Sequence, residues 1–247
     1  MAYRFDDRVC LITGAASGIG RATAQKMASL GAKLTLSDIN QGGLNETNAI
    51  CGGSHMTEVC DVGSSTACNS FVAAVISHLG RLDFVFNCAG VNPTAYALTD
   101  TTDEYYDKLM NTNLRGTYNM TRAVMPHLQA GAAIVNTSSI MGVTVAANYA
   151  IYCATKFAIV GFTKAMAMEL GTKQVRVNAV APGYINTPTN AGVVAGPVAV
   201  AEQEKKIAMG RMGTAGEVAD VVAFLFRFVR NDGSLPHVVA KLTGLRQ

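Results

Sequence analysis

Val9-Cys10-Leu11-Ile12 is a short, unbroken apolar run that leads straight into Thr13-Gly14-Ala15-Ala16-Ser17-Gly18-Ile19-Gly20 and then a helical pattern through Leu30. A strand that is apolar at every position is buried on both faces, as in parallel sheets covered by helices. Between such a strand and a helix, closely spaced glycines permit a tight turn and let the backbone approach a diphosphate. The helix amino terminus adds amide N–H groups and partial positive charge. A second strand, Lys33-Leu34-Thr35-Leu36-Ser37, ends in Asp38, at the separation where a carboxylate meets the hydroxyls of an adenosine ribose. The unit predicts a dinucleotide site, with Gly14, Ser17, Gly18, Ile19 and Gly20 near the phosphates and Asp38 at the ribose. An incidental acidic turn residue is the alternative for Asp38. The same carboxylate predicts NAD over NADP. A 2′-phosphate there would meet like charge, and Ser17, Ile39 and Asn40 supply no cation.

The alternation continues. Strand three spans 55–59 and closes on Cys60-Asp61-Val62, with Asp61 where an adenine would lie. A helix spans 65–79, and strand four, 83–86, leads to Asn87-Cys88-Ala89-Gly90. Small residues there suit either a nucleotide or a plain turn. A long helical stretch, 103–129, contains Asn113, a poor helix former; a surface asparagine and an interior one that opens the helix and binds water are both open. Strand five is 133–137, helix 150–170 follows, then strand six at 176–180 and a helix at 217–226. The predicted fold is a single α/β domain over 1–247: three-layer and doubly wound, with a mostly parallel sheet in the order 3-2-1-4-5-6 and a seventh strand left open. Within it, 187–206, rich in Ala, Val and Gly, reads as a lid over a largely apolar small-molecule substrate, with a linker as the alternative.

Composition narrows the partners. Hydrophobic residues make up 49% and charged residues 15% of the 247, which describes a large core and not a disordered chain. The net charge of +3 is mild and its lysines and arginines are scattered, so nothing points to nucleic acid or membrane partners. Six cysteines lack metal-ligand spacing, no leader pattern precedes Tyr3, and no apolar run reaches membrane-spanning length. A cytoplasmic protein without a metal is expected.

A second constellation lies further along. Ser139 ends the strand-five run, and Tyr152 and Lys156 sit four apart, on one helical face. An ammonium beside a phenol favours the phenolate and draws its pKa toward the range of a general acid/base. An exposed Tyr and Lys with an unrelated Ser is the bland alternative. Helix 150–170 is apolar nearly all round, through Ile151, Phe157, Ile159, Val160, Phe162, Met166, Met168 and Leu170. Such a helix must be buried on all sides: one face packs on the sheet and the other needs a second protein surface, which predicts a homo-oligomer, a tetramer or a dimer.

Thr13-Gly14-x-x-x-Gly18-x-Gly20, Asp61, Asn87-x-Ala89-Gly90, Asn113, Ser139, Tyr152-x-x-x-Lys156 and Pro182-Gly183 fall in the order and spacing of the short-chain dehydrogenase/reductase family, which the chain resembles over about Arg8 to Asp220. The resemblance implies a Rossmann fold and an NAD(H)-dependent oxidoreductase interconverting a secondary alcohol and a ketone. It implies Tyr152 as proton carrier, Ser139 on the reacting oxygen, Lys156 on the nicotinamide ribose and lowering the tyrosine pKa, and Asn113 holding a relay water. Asp61, Val62, Asn87, Ala89, Gly90, Pro182, Gly183 and Ile185 would join the cofactor site, and Thr187 would contact the carboxamide. Tyr149 lacks the family separation from Ser139. Cys88 replaces a common asparagine. The tail, 227–247, departs from the family's usual Ser-Asp turn, last strand and Asp-Gly-Gly ending; Val238-Val239 offers a short replacement strand, and a shifted reading frame would account for the change. An NAD-binding scaffold with little turnover, and a 3-oxoacyl-thioester reductase using NADPH, are the alternatives.

Overall fold

The structure, a computed structural model, describes residues 3–191, 196–227 and 239–242. In chain order the elements are β1 (Val9–Thr13), α1 (Gly18–Ser29), β2 (Lys33–Asp38), α2 (Gln41–Ile50), β3 (Met56–Val59), α3 (Ser65–Leu79), β4 (Phe84–Asn87), α4 (Asp103–Leu109), α5 (Gly116–Val124) and β5 (Ala133–Thr137). They continue with α6 (Ala150–Gly171), β6 (Arg176–Pro182), β7 (Ile185–Asn186), α7 (Pro188–Ala191), α8 (Pro197–Lys205), β8 (Gly213–Thr214), α9 (Ala215–Phe226) and β9 (Val239–Leu242).

Seven strands form one sheet in the order β3-β2-β1-β4-β5-β6-β9, every pair parallel. The apolar run of β1 is buried at all five positions because successive side chains point to opposite faces and both faces are covered. Cys10 and Ile12 pack with Met27 of α1 and Val222 and Phe226 of α9. Val9 and Leu11 pack on the other side with Phe71 of α3, Met120 of α5 and Leu170 of α6. The chain adopts the expected doubly wound Rossmann-like fold.

One departure from the sequence reading has a physical cause, while α6 follows it and the far edge of the sheet gains the strand left open. The stretch 103–129 is not one helix: a π turn spans Met110–Arg115, and a 3₁₀ turn at Met125–His127 contains Pro126, which has no N–H to give an α-helix. Asn113 is buried in the π turn, its amide engaged with Val91. Helix α6 is not enclosed by its own chain. Ile159, Met166 and Leu170 are buried, whereas Phe157 is 44% and Met168 75% exposed, so the chain covers only one side. At the far edge, β9 pairs with β6 from Ala179 beside Val239 to Pro182 beside Leu242, supplying the seventh strand. Val238 and the rest of 228–238, with 192–195 of the lid stretch and 243–247, lie outside the described residues.

Below the sheet, at the amino end of β4, buried Asp83 joins two strands. Its carboxylate accepts from the Val9 amide at 2.9 Å, from Arg8 at 2.7 Å, and from Arg81 at 2.9 and 2.6 Å. Burial pushes this carboxyl up, but the hydrogen bonds from Arg81, Val9 and Arg8 outweigh it and hold the pKa below the usual carboxylate range. The stabilisation is therefore complete above the unfolded value of ~3.9 and is lost as pH falls through the lower folded one. We predict that Asp83→Asn lowers stability by roughly 1–3 kcal/mol, less than for a fully buried pair because both guanidiniums are half exposed. Urea unfolding of the two proteins at neutral and acid pH checks this: the difference should shrink in acid, and equal midpoints at neutral pH would refute it.

Candidate active site

The carboxyl ends of β1 to β6 open onto one cleft of about 540 Å³, where the strand order reverses between β1 and β4. Open α/β sheets bind ligands at such a point. Two glycines shape its floor. Gly14 has φ +68°, and a Cβ there would stand 2.8 Å from the Ala89 backbone; a Cβ on Gly20 would overlap the Gly14 carbonyl oxygen. The turn after β1 and the turn after β4 are thus in backbone contact. Thr13 fixes them together, its hydroxyl accepting from the amides of Cys88 and Ala89 at 3.0 Å each.

At the mouth of this turn, the Ser17 hydroxyl makes no capping bond to α1, so the helix presents its first amides to the cleft. Asp38 is held by the Ala16 and Asn40 amides at 3.0 Å each. Asp61 accepts from the Gly63 amide at 2.9 Å. A backbone cradle that any side chain would fill, bare helix amides and an oriented carboxylate fit a dinucleotide: diphosphate on the turn, ribose on Asp38.

At the other end, α6 brings Tyr152 and Lys156 to Ser139 at the end of β5. The three line the cleft together, and the Ser139 hydroxyl hydrogen-bonds the phenol. The backbone turn at Ile140–Gly142 packs close to α6, where a Cβ on Gly142 would overlap Ser138 Oγ, and Ser138 in turn donates to the Lys156 carbonyl at 2.8 Å. Lys156 Nζ donates to the Thr137 carbonyl at 3.0 Å and stands 5.5 Å from the centre of the Tyr152 ring. The expected lowering of the tyrosine pKa does not hold in the chain alone. Tyr152 and Lys156 are only 8% and 5% exposed, so loss of water dominates both. Burial pushes the phenol up to about 12, with the Ser139 hydrogen bond opposing it, and pushes the ammonium down to about 8.

Of the predicted residues, Gly14, Ser17, Gly18, Ile19, Gly20 and Asp38 meet on one side of the cleft, Asp61, Val62, Ala89 and Gly90 on its floor, and Pro182, Gly183, Ile185 and Thr187 along the β6 side. Asn87 and Asn113 are not on the lining. Asn87 is buried behind it, donating to Thr121 at 3.1 Å and to Asn136 at 2.9 Å, while Asn136 donates to Thr163 at 3.0 Å. This amide chain ties β4 and β5 to α5 and α6. Asn113 accepts from the Val91 amide at 2.7 Å and donates to its carbonyl at 3.1 Å. Tyr105 grips Thr94 in the same two-way fashion, at 3.1 and 2.9 Å.

Some lining residues went unread in the sequence or were set aside there. The loop Val91-Asn92-Pro93 and Tyr184 line the cleft, as do Tyr149, which the sequence reading sets aside as a catalytic tyrosine, and Gln203, within the stretch read as a lid. The loop was reachable by the rule that ligands gather at strand carboxyl ends, since it follows β4 directly. Tyr184 stands inside the Pro182-Gly183 motif. Gln203, on α8, carries no local signal.

The family model described as enoyl-(acyl carrier protein) reductase matches residues 14–228. A short-chain dehydrogenase/reductase, aba4, of Botryotinia fuckeliana is 37% identical over 234 residues, covering 90% of both chains. The crystal structure of levodione reductase superposes with a TM-score of 0.91 at 34% identity over 98% of each chain. A 3-ketoacyl-(acyl-carrier-protein) reductase from Brucella melitensis, solved with NADH, gives 0.88 at 28% identity, covering 97% of this chain and 98% of that one. With the glycine turn, the cleft at the strand reversal and the Ser139, Tyr152 and Lys156 cluster already in place, these likenesses settle the family: the chain belongs to the short-chain dehydrogenases/reductases, an oxidoreductase family.

Proposed function

We propose that the chain interconverts a secondary alcohol and a ketone with NAD(H), acting as one domain. The observation that carries this is the convergence of Ser139, Tyr152 and Lys156 on the cleft whose other end is the glycine turn and Asp38. When bound, the nicotinamide supplies hydride exchange with the substrate carbon. Ser139 donates to the reacting oxygen. Tyr152, protonated at neutral pH with its pKa pushed up to about 12 by burial, gives its proton to a carbonyl oxygen in reduction. In oxidation only its phenolate form takes the alcohol's proton, and burial disfavours that form. Lys156, with its pKa near 8, keeps its charge at neutral pH and binds the nicotinamide ribose. The Asn113 side chain is occupied by Val91 and its backbone carbonyl accepts from the Thr117 hydroxyl at 3.2 Å, which leaves that carbonyl one lone pair for a relay water. Such a full set of proton-handling groups argues against a scaffold that only binds the cofactor.

NAD is favoured over NADP because Asp38 offers an oriented carboxylate where a 2′-phosphate would fall, and its neighbours Ile39 and Asn40 carry no charge. A 3-oxoacyl thioester is the second reading for the substrate, since a solved relative is a 3-ketoacyl-(acyl-carrier-protein) reductase; that protein was solved with NADH. The free state of all six cysteines favours a reducing, cytoplasmic setting. The described residues include no helix long and apolar enough to cross a membrane. Phe157 and Met168, large apolar side chains left 44% and 75% exposed on α6, support a homo-oligomer through that helix.

Three outcomes are expected. Tyr152→Phe should cut turnover at least ~10²-fold, in the range general acid/base groups contribute, with NADH binding followed by fluorescence retained; appreciable turnover would refute the assigned role. NADH should bind at least roughly tenfold more tightly than NADPH, and Asp38→Ser should narrow that gap, because like charges in contact penalise the wrong ligand. An unchanged ratio in the variant would remove Asp38 from the discrimination. In light scattering at micromolar concentration the protein should run as a dimer or tetramer; monomer alone would count against the α6 interface.

A further inference from the structure

The apolar wall beside Ser139 and Tyr152 continues past the mouth of the cleft. Val91, Pro93, Ile140, Met141 and Tyr149 line it, and they come from two loops, one after β4 and one between β5 and α6. The loops are stitched together: the Tyr96 amide donates to the Asn148 carbonyl at 3.0 Å. Asn148 sits in the left-handed region, with φ +67°, which asparagine tolerates better than most residues. It is the immediate neighbour of Tyr149, so the stitch lies at the edge of the cleft. Leu98 is two residues beyond the stitch and Val145 three before it, which at about 3.6 Å per residue keeps both within roughly 11 Å. All three side chains at this edge stand in water: Tyr96 is 42%, Leu98 67% and Val145 75% exposed. The Tyr96 ring is fixed edge-on against Tyr105, with centroids 5.2 Å apart.

No charged side chain interrupts this surface. Residues 91–99 and 138–155 contain none, and the charged members of the lining, Asp38, Asp61, Lys108 and Lys156, all come from other segments. Polar groups along the way are spent on the protein, the Thr94 peptide groups on the Tyr105 hydroxyl and the Tyr96 amide on Asn148. A lone exposed apolar side chain is ordinary; three on two joined loops, continuous with the wall of a cleft, mark a binding surface. Size points the same way. The cleft of about 540 Å³ is within the roughly 300–1,000 Å³ that one drug-sized ligand fills. A dinucleotide takes most of it, and a substrate of more than a few carbons has to continue over the rim.

We propose that the substrate carries a long apolar chain, which leaves the cleft beside Tyr149 and lies along a rim formed by Tyr96, Leu98 and Val145. On the alcohol–ketone reading above, on which this rests, the preferred substrate class is a long-chain secondary alcohol or its ketone, and not a sugar or small polyol. Each methylene that settles on the rim leaves water on one side only, so it contributes about half of the ~0.8 kcal/mol that a fully buried methylene gives, or roughly twofold in kcat/KM.

The test follows NADH oxidation with methyl ketones from butanone to dodecanone. The longest should exceed the shortest in kcat/KM by at least roughly thirtyfold, several methylenes' worth of rim contact. In Leu98→Asp and in Val145→Asp that ratio should fall at least about fivefold, because a short carboxylate cannot bend its charge away from the chain as a lysine would. Both side chains are exposed, so neither change disturbs folding, and Leu98→Phe, which keeps an apolar surface, should preserve the ratio. Ile50→Asp, an equally exposed position on α2, should preserve it too, which separates the rim from a general effect of added charge. Rates that stay level with chain length, or a rise that survives both aspartate variants, would overturn the proposal while short ketones still turn over and the oxidoreductase reading stands. A shift of either variant toward monomer in light scattering would assign the rim to a second copy of the chain and overturn it as well. Turnover of no ketone in the series would overturn both.

Discussion

The cleft exists because two backbone turns touch. The turn after β1 and the turn after β4 stand so close that a single methyl group on Gly14 would strike the Ala89 backbone, and the Thr13 hydroxyl bonds two amides of the opposite turn. Parallel crossovers leaving the sheet toward opposite faces open a crevice where they part. Here the turns are tied together at its base, so the glycine turn after β1 and the cleft wall after β4 are one piece. The other parts of the site hang from it: Asp38 is oriented by the amide of Ala16 in the same turn, and Gly90 abuts the Asn113 side chain.

Much of this was legible in the sequence because it is local. The unbroken apolar run of β1, the glycine spacing and Asp38 report strand burial and turn geometry within a few residues of themselves, and the elements found there match the reading to within about one residue, as at β2 and α3. Tyr152 and Lys156 fall on one face of α6 for the same reason. What the sequence concealed depends on which surface comes to lie behind which. The sequence does not show that the Asn87 side chain bonds into an amide chain between layers or that the Asn113 side chain holds Val91. Gln203 faces the cleft only because α8 is folded over it.

The direction of the Tyr152 shift is the sharpest lesson in magnitudes. A charge four residues away along a helix looks decisive until both groups lose their water. With phenol and ammonium almost wholly enclosed, each is driven toward its neutral form, and desolvation outweighs attraction between groups that do not touch. The amine spends a hydrogen bond on the Thr137 carbonyl and stands 5.5 Å from the centre of the ring. Burial thus moves the two pKa values away from their free values in opposite directions while leaving both groups protonated at neutral pH.

The grips on the loop after β4 have a consequence of their own. Asn113 and Tyr105 seize it through the peptide groups of Val91 and Thr94, each taking one N–H and one C=O, and neither touches it through a side chain in these bonds. Val91 packs against Leu109, Ile151 and Tyr152 and Pro93 is buried, so it is residues 92 and 94 that can exchange their side chains while the ribbon beneath them stays fixed. The loop is an interchangeable mount, and descent with altered substrate preference has a route here that leaves the nucleotide half of the molecule untouched.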